Sequence, residues 1–260
     1  MFYRRAGAGP TLLLVHGYPT SSWDWAKLWP ELVARYDVIA MDMLGFGESA
    51  KPRGHRYSLI EQTDLHTDLL AHLGVGRFHA LVHDYGVTVG QELLARGAPL
   101  ASIAFLNGGL FPEMHRARPI QKLLASPLGP LIARLTNERA FARSFAPLFV
   151  TQPSAEEVRG FYALAAKHDG KQALAGLIAY IAERRERRER WVRAFVDAKL
   201  PLVVINGSED PVSGAHLVER VLELRPGTRI ERLPYTGHYP QVESPRAVLD
   251  AYLAFRATIA

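Results

Sequence analysis

The sequence predicts an α/β fold: a mostly parallel sheet flanked by helices, with a helical segment inserted near the middle. Three observations carry this. Short apolar runs alternate with helical patterns. One run passes straight into a helical pattern through a glycine-bearing turn, in ALVHDYGVTVG (80–90). An Ala-, Leu- and Arg-rich stretch, 110–195, interrupts the alternation. With 260 residues, 48% hydrophobic and 22% charged, the chain can bury a full core.

The strand candidates, in order, are TLLLV from Thr11, YDVIAMD ending at Asp42, HALVHD ending at Asp84, ASIAFLN ending at Asn107, PLVVIN ending at Asn206, and RIERLP from Arg229. In an open parallel sheet, chemistry collects at the carboxyl ends of the strands. After the first strand, His16-Gly17-Tyr18-Pro19 permits close backbone approach, and the Tyr18 amide can face the crevice beside that of Tyr85 as an oxyanion hole. A plain Gly-Pro turn is the bland alternative. The glycines of DMLGFGES (42–49) suit a tight supporting turn.

Asp84 stands where the third strand turns into a helix, the position of a nucleophile. Gly86 and Gly90 allow tight turning and close helix packing, although the usual glycine two positions before the nucleophile is here Val82. Asp84 as a simple helix N-cap explains the tetrapeptide equally well. The order along the chain shifts the balance. Asp210, in GSEDPV, and His238, in YTGHYP, both follow later strands, in the order nucleophile, acid, histidine. A carboxylate attacking carbon forms an ester, so the chemistry indicated is opening of an epoxide or displacement of a halide, then hydrolysis.

Composition removes other classes. There is no cysteine, hence no disulfide framework and no thiolate nucleophile or metal ligand. The start, MFYRRAGAGP, has no apolar run long enough for a signal peptide, and no stretch reaches a membrane span. Cytoplasmic location and no membrane partner are the expectations. The net charge of +5 could suggest nucleic acid. Much of the excess arginine, however, sits in AERRERRERWVRA (182–194), where Glu183/Arg187, Glu186/Arg190 and Glu189/Arg193 are spaced for i,i+4 pairs on a solvated helix, which argues against nucleic-acid binding.

These segments together resemble an α/β-hydrolase of the epoxide hydrolase and haloalkane dehalogenase branch. More closely, HGYPTSSWDW, MDMLGFGESAKP, HDYG with QELL, LNGGLFPEMHR, RRERW and GHYPQVESP resemble the mesoderm-specific transcript protein family and its bacterial relatives. The resemblance implies Asp84 as nucleophile, His238 as base, Asp210 as its orienting acid, and the Tyr18 and Tyr85 amides as oxyanion hole. The first strand common in the superfamily is expected to be absent.

The core is therefore expected at 1–109 and 196–260, with 110–195, broken by Pro112, Pro119, Pro127, Pro130, Pro147 and Pro153, as a helical cap. In epoxide hydrolases, cap tyrosines serve the leaving oxygen. Tyr180 matches the second such position; Tyr162 is the weaker candidate, and both could equally be packing residues. Asn107 and Tyr162 are possible substrate contacts. Dehalogenases of the branch usually carry Trp directly after the nucleophile, and often Asn after the His-Gly pair. This chain has Tyr85 and Tyr18. The reading is an epoxide hydrolase acting on a small apolar substrate, with a haloalkane dehalogenase or a non-catalytic binding module as alternatives; a serine esterase lacks its hydroxyl at position 84. The scheme needs no metal or cofactor, and the oligomeric state is not readable.

Overall fold

The computed structural model describes residues 1–259. Among them, seven strands form one sheet in the order β1-β3-β2-β4-β5-β6-β7. They are β1 (Tyr3–Ala6), β2 (Thr11–Val15), β3 (Asp37–Met41), β4 (Phe78–Asp84), β5 (Leu100–Gly108), β6 (Leu202–Gly207) and β7 (Arg229–Leu233). Six match the expected runs. The seventh, β1, pairs antiparallel at the edge, Tyr3 opposite Met41 and Ala6 opposite Val38. Its YRRA sequence is largely exposed and carries no apolar alternation, so nothing marked it as a strand.

Apolar residues of the parallel strands alternate between two cores. Leu13, Val15, Ile39, Val82, Ile103 and Phe105 face one side. Leu12, Leu14, Val38, Leu81, Ala104 and Leu106 face the other. This two-residue period, buried on both faces, is what a helix-covered parallel sheet requires.

The helices are α1 (Trp29–Val33), α2 (Leu59–His72), α3 (Tyr85–Ala95), α4 (Pro119–Leu124), α5 (Gly129–Leu135), α6 (Glu138–Phe145), α7 (Ala155–Ala166), α8 (Lys171–Leu177), α9 (Tyr180–Glu186), α10 (Arg188–Val196), α11 (Ala215–Leu224), α12 (Pro240–Glu243) and α13 (Pro245–Arg256). Prolines open α4, α5, α12 and α13, where a missing N–H is harmless. α4 to α9 form the inserted segment. α10, though inside 110–195, packs along α3, with Trp191 and Phe195 in the core beneath the sheet's helical layer. A separate aromatic cluster, Phe141, Phe145, Phe149 and Phe161, seats the insertion on Tyr239.

The chain runs from β2 to β3 on one side, then crosses to β4 on the other side of β2. The loops after β2 and β4 therefore diverge and open a crevice between their carboxyl ends, the usual place for a ligand in such sheets.

Candidate active site

The nucleophile position is built by backbone geometry. Asp84 ends β4 with φ 44° and ψ −103°, and α3 starts at the next residue. An L-residue at positive φ is strained, and strain of this kind is concentrated at functional sites. Close packing maintains it. A Cβ on Gly86 would lie 2.5 Å from the Val15 carbonyl oxygen, and one on Gly108 would lie 2.8 Å from the Asp84 Cα. The N-cap alternative fails: the Asp84 side chain makes no capping hydrogen bond to α3.

Instead the carboxylate turns into the crevice. The Tyr18 amide donates to Asp84 Oδ2 at 2.9 Å. His238 Nε2 lies 3.7 Å from Oδ1. On its other side, the imidazole bonds through Nδ1 to Asp210 Oδ2 at 2.7 Å. Asp210 is further held by the Ser213 hydroxyl at 2.7 Å and the Val212 amide at 2.7 Å. The three expected residues thus converge, each no more than 4% exposed.

Asn107 has a different place from the one expected. Its Nδ2 donates to Asp210 Oδ2 at 2.9 Å and to the Gly207 carbonyl at 3.0 Å, while its Oδ1 accepts the Gly207 amide at 2.7 Å. It holds Asp210 in place and does not line the cavity. Tyr162 packs its ring on Phe141 and directs its hydroxyl proton to the Thr136 carbonyl, 3.5 Å away, instead of toward Asp84.

Tyr180 opens α9, fully buried, with its ring against Tyr18 and Tyr85. Burial and the Asp84 charge both push its hydroxyl pKa up, so it keeps its proton. That hydroxyl accepts from Gln121 Nε2 at 3.2 Å. Tyr180 does not itself line the cavity, whereas Gln121 does. The Tyr85 amide is the first of α3, one of the N–H groups a helix leaves without an internal partner.

The loop that carries Tyr18 is fixed by buried groups. His16 Nε2 accepts the Met43 amide at 3.0 Å, so its Nδ1 carries the proton donated to the Gly17 carbonyl at 2.8 Å. Tyr239, next to His238, donates to the Tyr18 carbonyl at 2.8 Å. His83 Nε2 bonds the His238 carbonyl at 2.8 Å. Asp42 accepts the Ser22 and Glu48 amides, which gives DMLGFGES its supporting role.

The largest departure from expectation is Arg184. It is 2% exposed. Its Nε donates to Thr88 Oγ1 and its Nη2 to the Asp84 carbonyl, each at 2.7 Å. The guanidinium also lies over the Tyr180 ring, 4.5 Å from its centre. Nη1 has no partner among the described residues. The signal for it was present: Arg184 is four residues after Tyr180, so on one helix they share a face.

The charges are mutually arranged. Burial works to raise the Asp84 pKa, but His238, Arg184, His83 and the Tyr18 amide together hold it below the ordinary value. Burial opposes protonation of His238, but Asp210 and Asp84 outweigh it and raise its pKa. For Asp210, burial is overcome by the His238 charge and by its donors, and the carboxyl is held low. Nearby His115 is lowered to about 4, chiefly by burial and then by Arg184, and stays neutral at pH 7.

Asp84 and His238 line a cavity shared with the insertion. Its walls include Ile120, Leu124, Phe141, Phe145, Leu148, Leu174 and Val212, with Tyr18, Arg118 and Gln121 as the larger polar groups. Among the described residues, no tryptophan lines it. Trp23 packs on Phe161, and Trp191 donates to Glu92 at 2.7 Å.

Comparison with known proteins agrees with this architecture. Residues 10–245 match the family described as alpha/beta hydrolase fold. The Mycobacterium tuberculosis protein LipZ is 42% identical over 96% of this chain and 90% of its own length. The mouse mesoderm-specific transcript protein is 39% identical over 96% of this chain and 79% of its own. The haloalkane dehalogenase DatA from Agrobacterium tumefaciens superposes with TM-score 0.87 at 19% identity, covering 99% of this chain and 92% of that one, a likeness of fold. This chain therefore belongs to the alpha/beta hydrolase fold family.

Proposed function

We propose that the protein opens small apolar epoxides to diols through an ester on Asp84, with the inserted helices acting as a cap. The observation that carries this reading is a carboxylate at the strained elbow, facing a histidine that is itself oriented by a second carboxylate. A binding module has no use for a base held against a carboxylate.

In the first step, ionised Asp84 attacks an epoxide carbon, the C–O bond breaks, and the Tyr180 hydroxyl donates to the alkoxide. Because that hydroxyl accepts from Gln121, its own proton remains free for donation. Ester formation removes the Asp84 negative charge, one of the causes that raise the His238 pKa. The imidazole pKa then falls and it can act as base. It takes a proton from water, whose oxygen attacks the ester carbonyl while the Tyr18 and Tyr85 amides hold the oxyanion. The ester C–O bond then breaks, the second proton of the water passes to the departing diol oxygen, Asp84 is again a carboxylate, and the proton on His238 is returned through solvent to the Tyr180 phenolate.

Dehalogenation is the second reading. A cavity wall without indole N–H donors among the described residues favours the epoxide. The test is a His238→Gln variant incubated with panels of epoxides and 1-haloalkanes, followed by mass spectrometry of the peptide containing Asp84. An adduct of intact epoxide mass is expected. Adducts from haloalkanes alone would move the assignment to dehalogenase, and none from either, with an inert wild type, would leave a binding module. Tyr180→Phe sharpens the outcome: it should slow ester formation from epoxides about 100-fold and leave ester hydrolysis unchanged.

A further inference from the structure

We propose that the α4–α5 hairpin is a docking face for an anionic lipid surface. Three leucines at i, i+3 and i+7, Leu128 at the N-cap of α5 and Leu131 and Leu135 within it, stand 61%, 57% and 69% exposed. Leu123, on α4, is 46% exposed. Isolated exposed leucines are ordinary, but a helical stripe of them marks a surface that meets apolar matter.

Charge identifies the occupant. Residues 116–143 carry six cations against the single acid Glu138: Arg118 lines the cavity, while Arg116, Lys122, Arg134, Arg139 and Arg143 are exposed. That excess equals the formal +5 of the whole chain. Among the described residues, none of the six joins a salt bridge. Leu131 and Arg134 share one groove with Lys171, so leucine and free cations lie together. Headgroup phosphates would meet the cations and acyl chains the leucines. A second copy of the chain would bring like charge against like, and a nucleic acid would leave the leucines in water.

The face is also well placed. Ile120, Gln121, Leu124 and Thr136, from the same hairpin, line the cavity that holds Asp84. Adsorption there would set the cavity wall against the phase in which apolar molecules concentrate. No helix of the described residues is long and apolar enough to cross a membrane. Interfacial adsorption does not require one.

The test is co-sedimentation of the whole protein with vesicles of phosphatidylglycerol in phosphatidylcholine, or of phosphatidylcholine alone. Binding is read without turnover, so the outcome is independent of the epoxide assignment. We expect partition into the anionic vesicles only, weakened by salt. Arg134→Gln and Arg139→Gln should each lower it about fivefold. The triple variant Leu128→Ser, Leu131→Ser, Leu135→Ser should lower it at least about tenfold, with circular dichroism and thermal midpoint retained. The proposal is overturned if anionic vesicles do not bind, or if the triple variant binds them as the wild type does. Leucine-dependent dimers in sedimentation velocity without lipid would assign the face to a second copy instead.

Discussion

Between Arg184 and Arg193 nearly every arginine ends on a protein group, whereas between Arg116 and Arg143 none finds a carboxylate. Arg184 reaches the Asp84 carbonyl, Arg187 pairs with Glu183, Arg188 with Glu113 at the base of the insertion, Arg190 with Glu92, and Arg193 with Asp197. One residue type therefore does two kinds of work in one inserted segment. Where α9 and α10 meet α3, guanidinium groups fasten these helices to the helix that follows Asp84. Around α4 to α6, Arg118 lines the cavity, whereas Arg116, Arg134, Arg139 and Arg143 are exposed and remain available to solvent or a partner. Position relative to the elbow decides which, and arginine content alone does not.

The largest effect is expected at Arg184. Arg184→Met removes the cation beneath the elbow and leaves the Asp84 carbonyl and Thr88 without their donor. Ester formation should fall about 100-fold to 1,000-fold, and stability by about 1–3 kcal/mol. Because Arg184 helps hold the Asp84 carboxyl low, its loss raises that pKa, so the acid limb of ester formation should move to higher pH. Arg184→Lys should restore part of the rate. Single-turnover rates against pH measure this. An unshifted acid limb would reduce Arg184 to a packing residue.

Glu92 is the next place to break the contrast. It is 1% exposed and accepts from Arg96, Arg190 and the Trp191 indole, at 2.7 Å in each closest contact. Burial alone would raise its pKa, but these donors hold it down to about 2. A depressed carboxyl pKa contributes stability that is present above its unfolded value, near 4.5, and is lost as pH falls toward 2. Glu92→Gln should cost about 3 kcal/mol in urea unfolding at pH 7 and flatten the stability profile between those two values. Ester formation per folded molecule should change little, because the rate depends on Arg184 and not on Arg190.

How far this was legible follows the same division. Strand ends carrying Asp84, Asp210 and His238 could be read because a buried parallel strand leaves an apolar run and a turn. The glycines beside Asp84 could be read because only they fit so near Val15 and Ile103. The arginine pairing could not. Spacing rules assume one continuous exposed helix, and only Glu183/Arg187 obeys them. The helix breaks at Arg187, with φ −101° and ψ 16°, which turns Glu186 and Arg190 out of register. A buried carboxylate taking a two-pronged hydrogen bond then holds Arg190 better than an exposed i,i+4 partner would. Asn107 was misread for a related reason: a strand-end polar residue looks the same in sequence whether it faces a ligand or holds a neighbouring loop.

The smallest effect is the one that makes the comparison decisive. Arg134→Gln and Arg139→Gln remove exposed cations that bond no carboxylate, so unfolding free energy should change by no more than about 0.5 kcal/mol. Rates on a water-soluble substrate should be unchanged, since neither side chain lines the cavity. Chemical denaturation and steady-state rates, measured beside Arg184→Met, check both statements. A loss of stability comparable to that of Glu92→Gln would mean that the outer arginines also fasten the insertion, and the division between its two halves would not hold. Unchanged stability and rate, beside a collapsed rate in Arg184→Met, would show that the guanidinium matters where it is buried against the elbow, while the outer ones are free for a task separate from the chemistry.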